Sequence, residues 1–80
     1  QELGSYLDAD LLIGSSVMYV PDNTNFPNSG KLLVGKEIIS YASKVGTDRF
    51  SGITRGINNT QETDHFAGGI LRTIGNATTT

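Results

Sequence analysis

The stretch from Phe26 to Tyr41 constrains the fold more than any other part of the chain. It opens with Phe26-Pro27, where the residue before a proline is pushed toward extended backbone. Asn28-Ser29-Gly30 supplies a turn, with glycine able to reach positive φ at little cost. Lys31-Leu32-Leu33-Val34 then reads as a short strand carrying Leu32 and Val34 on one face. Gly35-Lys36 suits a two-residue hairpin loop. The chain re-enters a strand predicted to run from Glu37 to Val45, with Ile39 and Tyr41 on one face and Ile38, Ser40 and Ala42 on the other.

The rest of the chain repeats this grammar. Residues 10–20 hold Leu11, Leu12 and Ile13, then Val17-Met18-Tyr19-Val20, and their β-branched and aromatic content favours a strand. Pro21 to Asn25 carries turn residues. Gly46 to Arg49 is predicted to be a further turn, Phe50 to Thr54 a strand, residues 56–65 a polar loop, and Ala67 to Ile74 a last strand. In residues 1–9, the spacing of Leu3, Tyr6 and Leu7 suits one or two helical turns or an N-terminal arm on a neighbour. Short strands recurring under ten glycines predict an all-β fold, a small antiparallel sandwich or partly open barrel with long polar loops. The expected organisation is an arm at 1–9, a β-rich module at 10–74, and a linker or the start of a following segment at 75–80. With Gln1 in first place, the chain reads as a piece of a longer polypeptide.

An 80-residue domain buries only about 60–65% of the surface its unfolded chain exposes, so its core is thin. Without cysteine it has no disulfide to compensate, which leaves assembly with other chains as a supplement. Six Lys and Arg stand against eight Asp and Glu, and the cations are scattered. No nucleic-acid partner is therefore expected. No apolar run approaches the ~20 residues of a membrane-spanning helix, so no membrane partner is expected either.

Chemistry-bearing residues are sparse. His65 has Glu62 and Asp64 close by, but no Gly-x-Ser-x-Gly segment accompanies it, and its expected role is a hydrogen bond to a turn backbone or a carboxylate. Glu37 is expected to accept bonds from Arg55 or from backbone N–H groups, a paired-carboxylate role being the alternative. Arg55-Gly56 reads as a turn with glycine at positive φ and the guanidinium on nearby carbonyls, with anion binding as its alternative. Asp8, Asp10, Asp22 and Asp48 lack the spacing of a calcium loop, although a loop calcium site stays open. No catalytic residue, metal ligand or cofactor is assigned.

Taken in order, Phe26-Pro27 with Gly30, Gly35 with Glu37 and Tyr41, Thr54-Arg55-Gly56, Thr60, and His65 with Gly68 resemble the signature of a small β-rich module in virion structural proteins of tailed bacteriophages. The resemblance spans roughly residues 15–74, and that module recurs in baseplate, tail-fibre and related tail components. Asn59 departs from it, standing where glycine is expected, but asparagine also tolerates the left-handed region. The resemblance implies a non-enzymatic structural component of the virion, in its tail region. It would act through contacts with other virion proteins, copies of itself among them. Phe26 and Tyr41 would then fill the core, while Arg55, Thr60 and His65 would tie down loop 56–65. The alternative expectation is a small carbohydrate- or receptor-binding module at a fibre tip, meeting a host-surface glycan. Such sites use aromatic platforms, for which the chain offers Tyr6, Tyr19 and Tyr41 but no tryptophan.

Overall fold

The computed structural model describes residues 3–74. Eight strands run in chain order: β1 (Gly4–Tyr6), β2 (Val17–Tyr19), β3 (Gly30–Val34), β4 (Glu37–Tyr41), β5 (Ser43–Val45), β6 (Arg49–Ser51), β7 (Thr54–Ile57) and β8 (Ile70–Ile74). They form a five-stranded sheet, β1-β8-β3-β4-β7, and a three-stranded sheet, β2-β6-β5. Every pairing is antiparallel. The two sheets do not close into a barrel, and the fold is an all-β sandwich in type.

The hairpin of β3 and β4 forms where the sequence places it, with Val34 opposite Glu37 across Gly35-Lys36. Gly35 takes φ 60° at the first loop position, as a two-residue hairpin with glycine there requires. Period-two burial follows: Glu37, Ile39 and Tyr41 point inward, while Ile38 and Ser40 are half-buried on the opposite face. From β3 and β8, Leu32, Val34 and Leu71 join them. The small sheet contributes Met18 and Phe50. The Phe50 ring lies 4.3 Å from Tyr41 and meets Phe26 edge-on at 5.3 Å, so three aromatics join the two sheets. Burial pushes the Tyr41 hydroxyl up to about 12, and that hydroxyl donates to the Pro27 carbonyl at 2.7 Å.

Several sequence expectations are corrected. The single strand expected over Glu37 to Val45 is two, divided at Ala42, and the strand expected over Phe50 to Thr54 is also two, divided at Gly52. In both cases the chain changes sheets. Sandwich corners are made by strands that bend from one sheet into the other, and here two neighbouring strands do so side by side. Ala42 N–H donates to the Ser51 carbonyl at 3.1 Å at this corner. Gly52 takes φ 61°, and a Cβ there would sit 2.9 Å from the Ala42 Cβ, so both the angle and the space require glycine. The third correction concerns residues 1–9. In place of a helical turn, Gly4–Tyr6 pairs with β8 and forms one edge of the large sheet, because Leu3 and Leu7 bury their side chains against the core. Last, Gly30 does not adopt positive φ; it opens β3 opposite Tyr41, the ladder beginning one residue earlier than the turn reading implied. Within residues 10–20 only Val17–Tyr19 forms a strand, Leu11 making a single bridge to His65. The expected segment at 75–80 lies outside the described residues.

Replacing Gly52 with alanine is expected to lower unfolding free energy by about 1–3 kcal/mol, from positive φ and the clash with Ala42 together. Tyr41→Phe, which keeps the ring and loses the bond to Pro27, should cost about 1 kcal/mol. Urea denaturation of both variants measures this, and a variant as stable as the unaltered chain would contradict its assignment.

Candidate functional site

The chain's polar chemistry converges on Glu37. Strand alternation turns this first residue of β4 inward, where its side chain is 0% exposed. A buried carboxylate is tolerated only when paired and hydrogen-bonded. Here Oε2 accepts Arg55 Nε at 2.8 Å and the Gly56 N–H at 2.9 Å. Oε1 accepts Arg55 Nη2 at 3.1 Å and the Thr63 N–H at 3.2 Å, and lies 2.8 Å from His65 Nε2. These contacts fill the roughly four lone-pair positions a carboxylate offers. Burial pushes the Glu37 carboxyl up, but the hydrogen bonds from Arg55, His65, Thr63 and Gly56 together overcome it and hold the group at about 2.

Each partner extends the lock. Beyond its two-pronged bond to Glu37, Arg55 donates from Nη1 to the Leu12 carbonyl and from Nη2 to the Thr63 carbonyl, both at 2.8 Å. Gly56 is at φ 59°, and a Cβ there would stand 3.0 Å from Glu62 N, so the loop can lie back over the strand only on a glycine. Thr60 Oγ1 accepts the Ile38 N–H at 2.9 Å and donates to the Ile57 carbonyl at 2.6 Å. Asn58 and Asn59, at φ 56° and 66°, make the turn between them, with asparagine taking the left-handed conformation in place of glycine. The backbone of His65 bridges Leu11, and Gly68, at φ 92°, donates its N–H to the Leu7 carbonyl.

Of the residues singled out from sequence, the structure gathers Glu37, Arg55, Gly56 and His65 into one cluster, with Thr60 beside it and Gly35 against the His65 ring. Phe26, Pro27 and Tyr41 form a separate group at the core aromatics, with Gly30 at the strand start beside them. Gly68 stands apart, at the turn that leads into β8. Sequence reasoning missed the segment 11–14, which loop 62–65 holds through Glu62 to the Gly14 N–H and Asp64 to the Ile13 N–H. It also missed buried Asn23, whose Nδ2 donates to the Arg49 carbonyl, and Lys44, whose Nζ caps the Phe26 carbonyl at 2.7 Å. Only the charged or amide side chains themselves signalled these roles, because their partners are carbonyls and N–H groups far along the chain.

A Ser-His-acid relay places the acid on one imidazole nitrogen and the nucleophile on the other. In this cluster the carboxylate and the nearest hydroxyl, Thr63 Oγ1 at 3.4 Å, both face Nε2 of His65. The relay geometry is not formed. Among the described residues no group of three or more His, Asp or Glu side chains is placed to hold a metal ion, and no cavity opens beside the cluster. The Asp22 carboxyl is engaged by the N–H and hydroxyl of Thr24, which hold it below its ordinary range. Of the tyrosines, Tyr41 is buried, Tyr6 is exposed, and the half-exposed Tyr19 ring carries the Arg49 guanidinium at 5.2 Å. Comparison with protein-family models, with curated proteins and with solved structures found no match for this chain.

The cluster makes stability acid-sensitive. Below the ordinary glutamate value of 4.5 the unfolded chain takes up a proton that the folded chain, at about 2, refuses. Stability is therefore whole above pH 4.5 and falls as pH drops toward 2, by on the order of 3 kcal/mol. Glu37→Gln should remove that part of the acid dependence and, with Arg55 left buried beside a neutral partner, lower stability at pH 7 by roughly 3–5 kcal/mol. Unfolding titrations from pH 2 to 7 on both proteins give the comparison. An unchanged acid limb in Glu37→Gln would assign the dependence elsewhere.

Proposed function

We propose that this chain is a non-enzymatic structural module that works through protein–protein contacts, as a component of a tailed-phage virion in the tail, baseplate or fibre apparatus. The observation that carries the reading is the use to which Glu37, Arg55 and His65 are put. The acid, base and cation that could serve chemistry are bonded to one another and to loop backbone, and the carboxylate has no exposure to solvent. They act as a turn lock, which is the role the phage-module resemblance assigns to the same positions. A small fold with rigid, cross-tied loops suits a building block: its surface keeps one shape, so little ordering entropy is lost when it joins an assembly.

The direct test is mass spectrometry of purified virions from the source that encodes the chain, followed by immunogold electron microscopy with antibodies against it. Peptides of this chain present in stoichiometric amount, with gold at the tail, are the expected result. Virions lacking the chain would overturn the reading.

A further inference from the structure

A strand at the edge of a sheet leaves alternate backbone groups unpaired. β1 is such an edge, and its register identifies the groups. The Leu3 carbonyl accepts the Thr73 N–H, and Leu7 donates its N–H to the Gly69 carbonyl, both at 2.8 Å. In an antiparallel ladder, hydrogen-bonded pairs alternate with non-hydrogen-bonded ones. Ser5 therefore bonds Leu71, while Gly4 and Tyr6, opposite Arg72 and Ile70, turn their N–H and C=O groups away from β8. Among the described residues no backbone group meets them on that side. The open stretch ends at Asp8, whose N–H donates to the Tyr19 carbonyl at 2.9 Å.

The opposite edge of the sheet, β7, is backed by its own loop. Thr60 N–H donates to the Ile57 carbonyl at 3.1 Å, and backbone atoms of Thr60 and Glu62 lie 3.3 and 3.0 Å from where a Cβ on Gly56 would stand. β1 has no such cover, and it carries no charge or proline to ward off a neighbouring strand. It also carries a glycine that its own sheet does not require. The φ of Gly4 is not positive, and a Cβ there would stand 3.7 Å from the Leu71 carbonyl, an ordinary contact. Glycine inside a strand weakens it and often marks a place where another chain approaches closely. On the same face, two residues along, stands Tyr6, which is 47% exposed.

We infer that β1 pairs antiparallel with β1 of a second copy across a twofold axis at Ser5, an inference that rests on reading the protein as a contact-making module. With Ser5 facing Ser5, the Gly4 of each copy stands opposite the Tyr6 of the other. Both Gly4–Tyr6 pairs are then of the hydrogen-bonded kind, so every N–H and C=O left open on one strand meets its complement on the other. Each Tyr6 ring lies over the Gly4 of the other copy, the cover that aromatic side chains give to edge glycines. The small Ser5 side chains suit the close pair at the axis, and no charges meet there. Any extended peptide could satisfy the backbone of β1, but a glycine and a tyrosine placed symmetrically about Ser5 fit each other. The same patch serves both copies, so the assembly closes at a dimer.

Sedimentation velocity on the unaltered chain, over a concentration series reaching about 1 mM, is expected to show monomer and dimer and nothing larger. Amide hydrogen exchange followed by NMR locates the contact. The Gly4 and Tyr6 N–H groups exchange quickly in the dilute monomer and roughly tenfold more slowly in the dimer, whereas Ser5 N–H is protected in both. Gly4→Val fills the place of the Tyr6 ring, and Gly4→Pro removes an N–H that no internal bond uses. Each weakens dimerisation about tenfold, while far-UV circular dichroism and melting of the dilute protein stay unchanged. Gly4→Val, whose β-branched side chain suits a strand, serves alone if proline unfolds the edge. A chain that stays monomeric through the series overturns the inference. So do oligomers larger than a dimer, a dimer in which Gly4 and Tyr6 exchange freely, or a dimer that Gly4→Val leaves intact. A chain found in virions yet monomeric in solution defeats this contact and leaves the structural reading standing; a dimer of this register formed by a chain absent from virions does the reverse.

Discussion

A carboxylate removed from water must find cations and N–H donors or lose its charge, and the architecture around Glu37 answers that demand. Its bonds draw in Arg55 and Gly56 from β7, and Thr63 and His65 from the loop that follows. Through Arg55 and the loop acids, the segment at residues 11–14 is held as well. An apolar residue at this position could match the stability, but a greasy contact does not direct where a polar loop runs. The hydrogen bonds around Glu37 do, each having a direction as well as a distance.

The second constraint is the exchange of strands between sheets. At Ala42 the chain leaves the large sheet and at Gly52 it returns, so β4 and β5, like β6 and β7, are consecutive strands that belong to different layers. This corner brings Phe50 under Tyr41 and lets three aromatic rings fill the space between layers that are only five and three strands wide. Lys44 Nζ then caps the Asn23 and Phe26 carbonyls of the long connection from β2 to β3, and the Asn23 amide ties that connection to the Arg49 carbonyl of β6.

Both constraints turn polar residues inward and leave apolar ones outside. The chain spends an acid, an arginine and a histidine on its interior, while Leu33, Ile38 and Ile70 stand on the outer sheet face and Phe66 on the loop end. For a protein with a thin core this distribution is coherent. Internal order comes from hydrogen-bonded turns, and apolar side chains such as Ile70 and Phe66 stand exposed outside the core.

The class of fold, the β3–β4 hairpin and the inward set of Leu32, Val34, Ile39 and Tyr41 were legible in the sequence, because alternation and turn chemistry are local properties. Glycine at positive φ was legible at Gly56 for the same reason, but not at Gly30, which opens β3 instead. Where a continuous run of strand-forming residues changes sheet was not, since the bend at Ala42 depends on Gly52 lying against it, ten residues further on. The pairing of Gly4–Tyr6 with β8 was hidden too: its donors and acceptors are backbone groups, which every residue carries alike. Sequence alone determined that the chain folds as punctuated antiparallel strands and that Glu37, Arg55 and His65 were the groups with chemistry to place. The pairing of Glu37 with Arg55 was among the sequence expectations. Tertiary structure alone decided that His65 and the loop N–H groups join the same buried carboxylate and that the apolar residues between the core positions share a single outer face, because both outcomes depend on register between strands far apart in the chain.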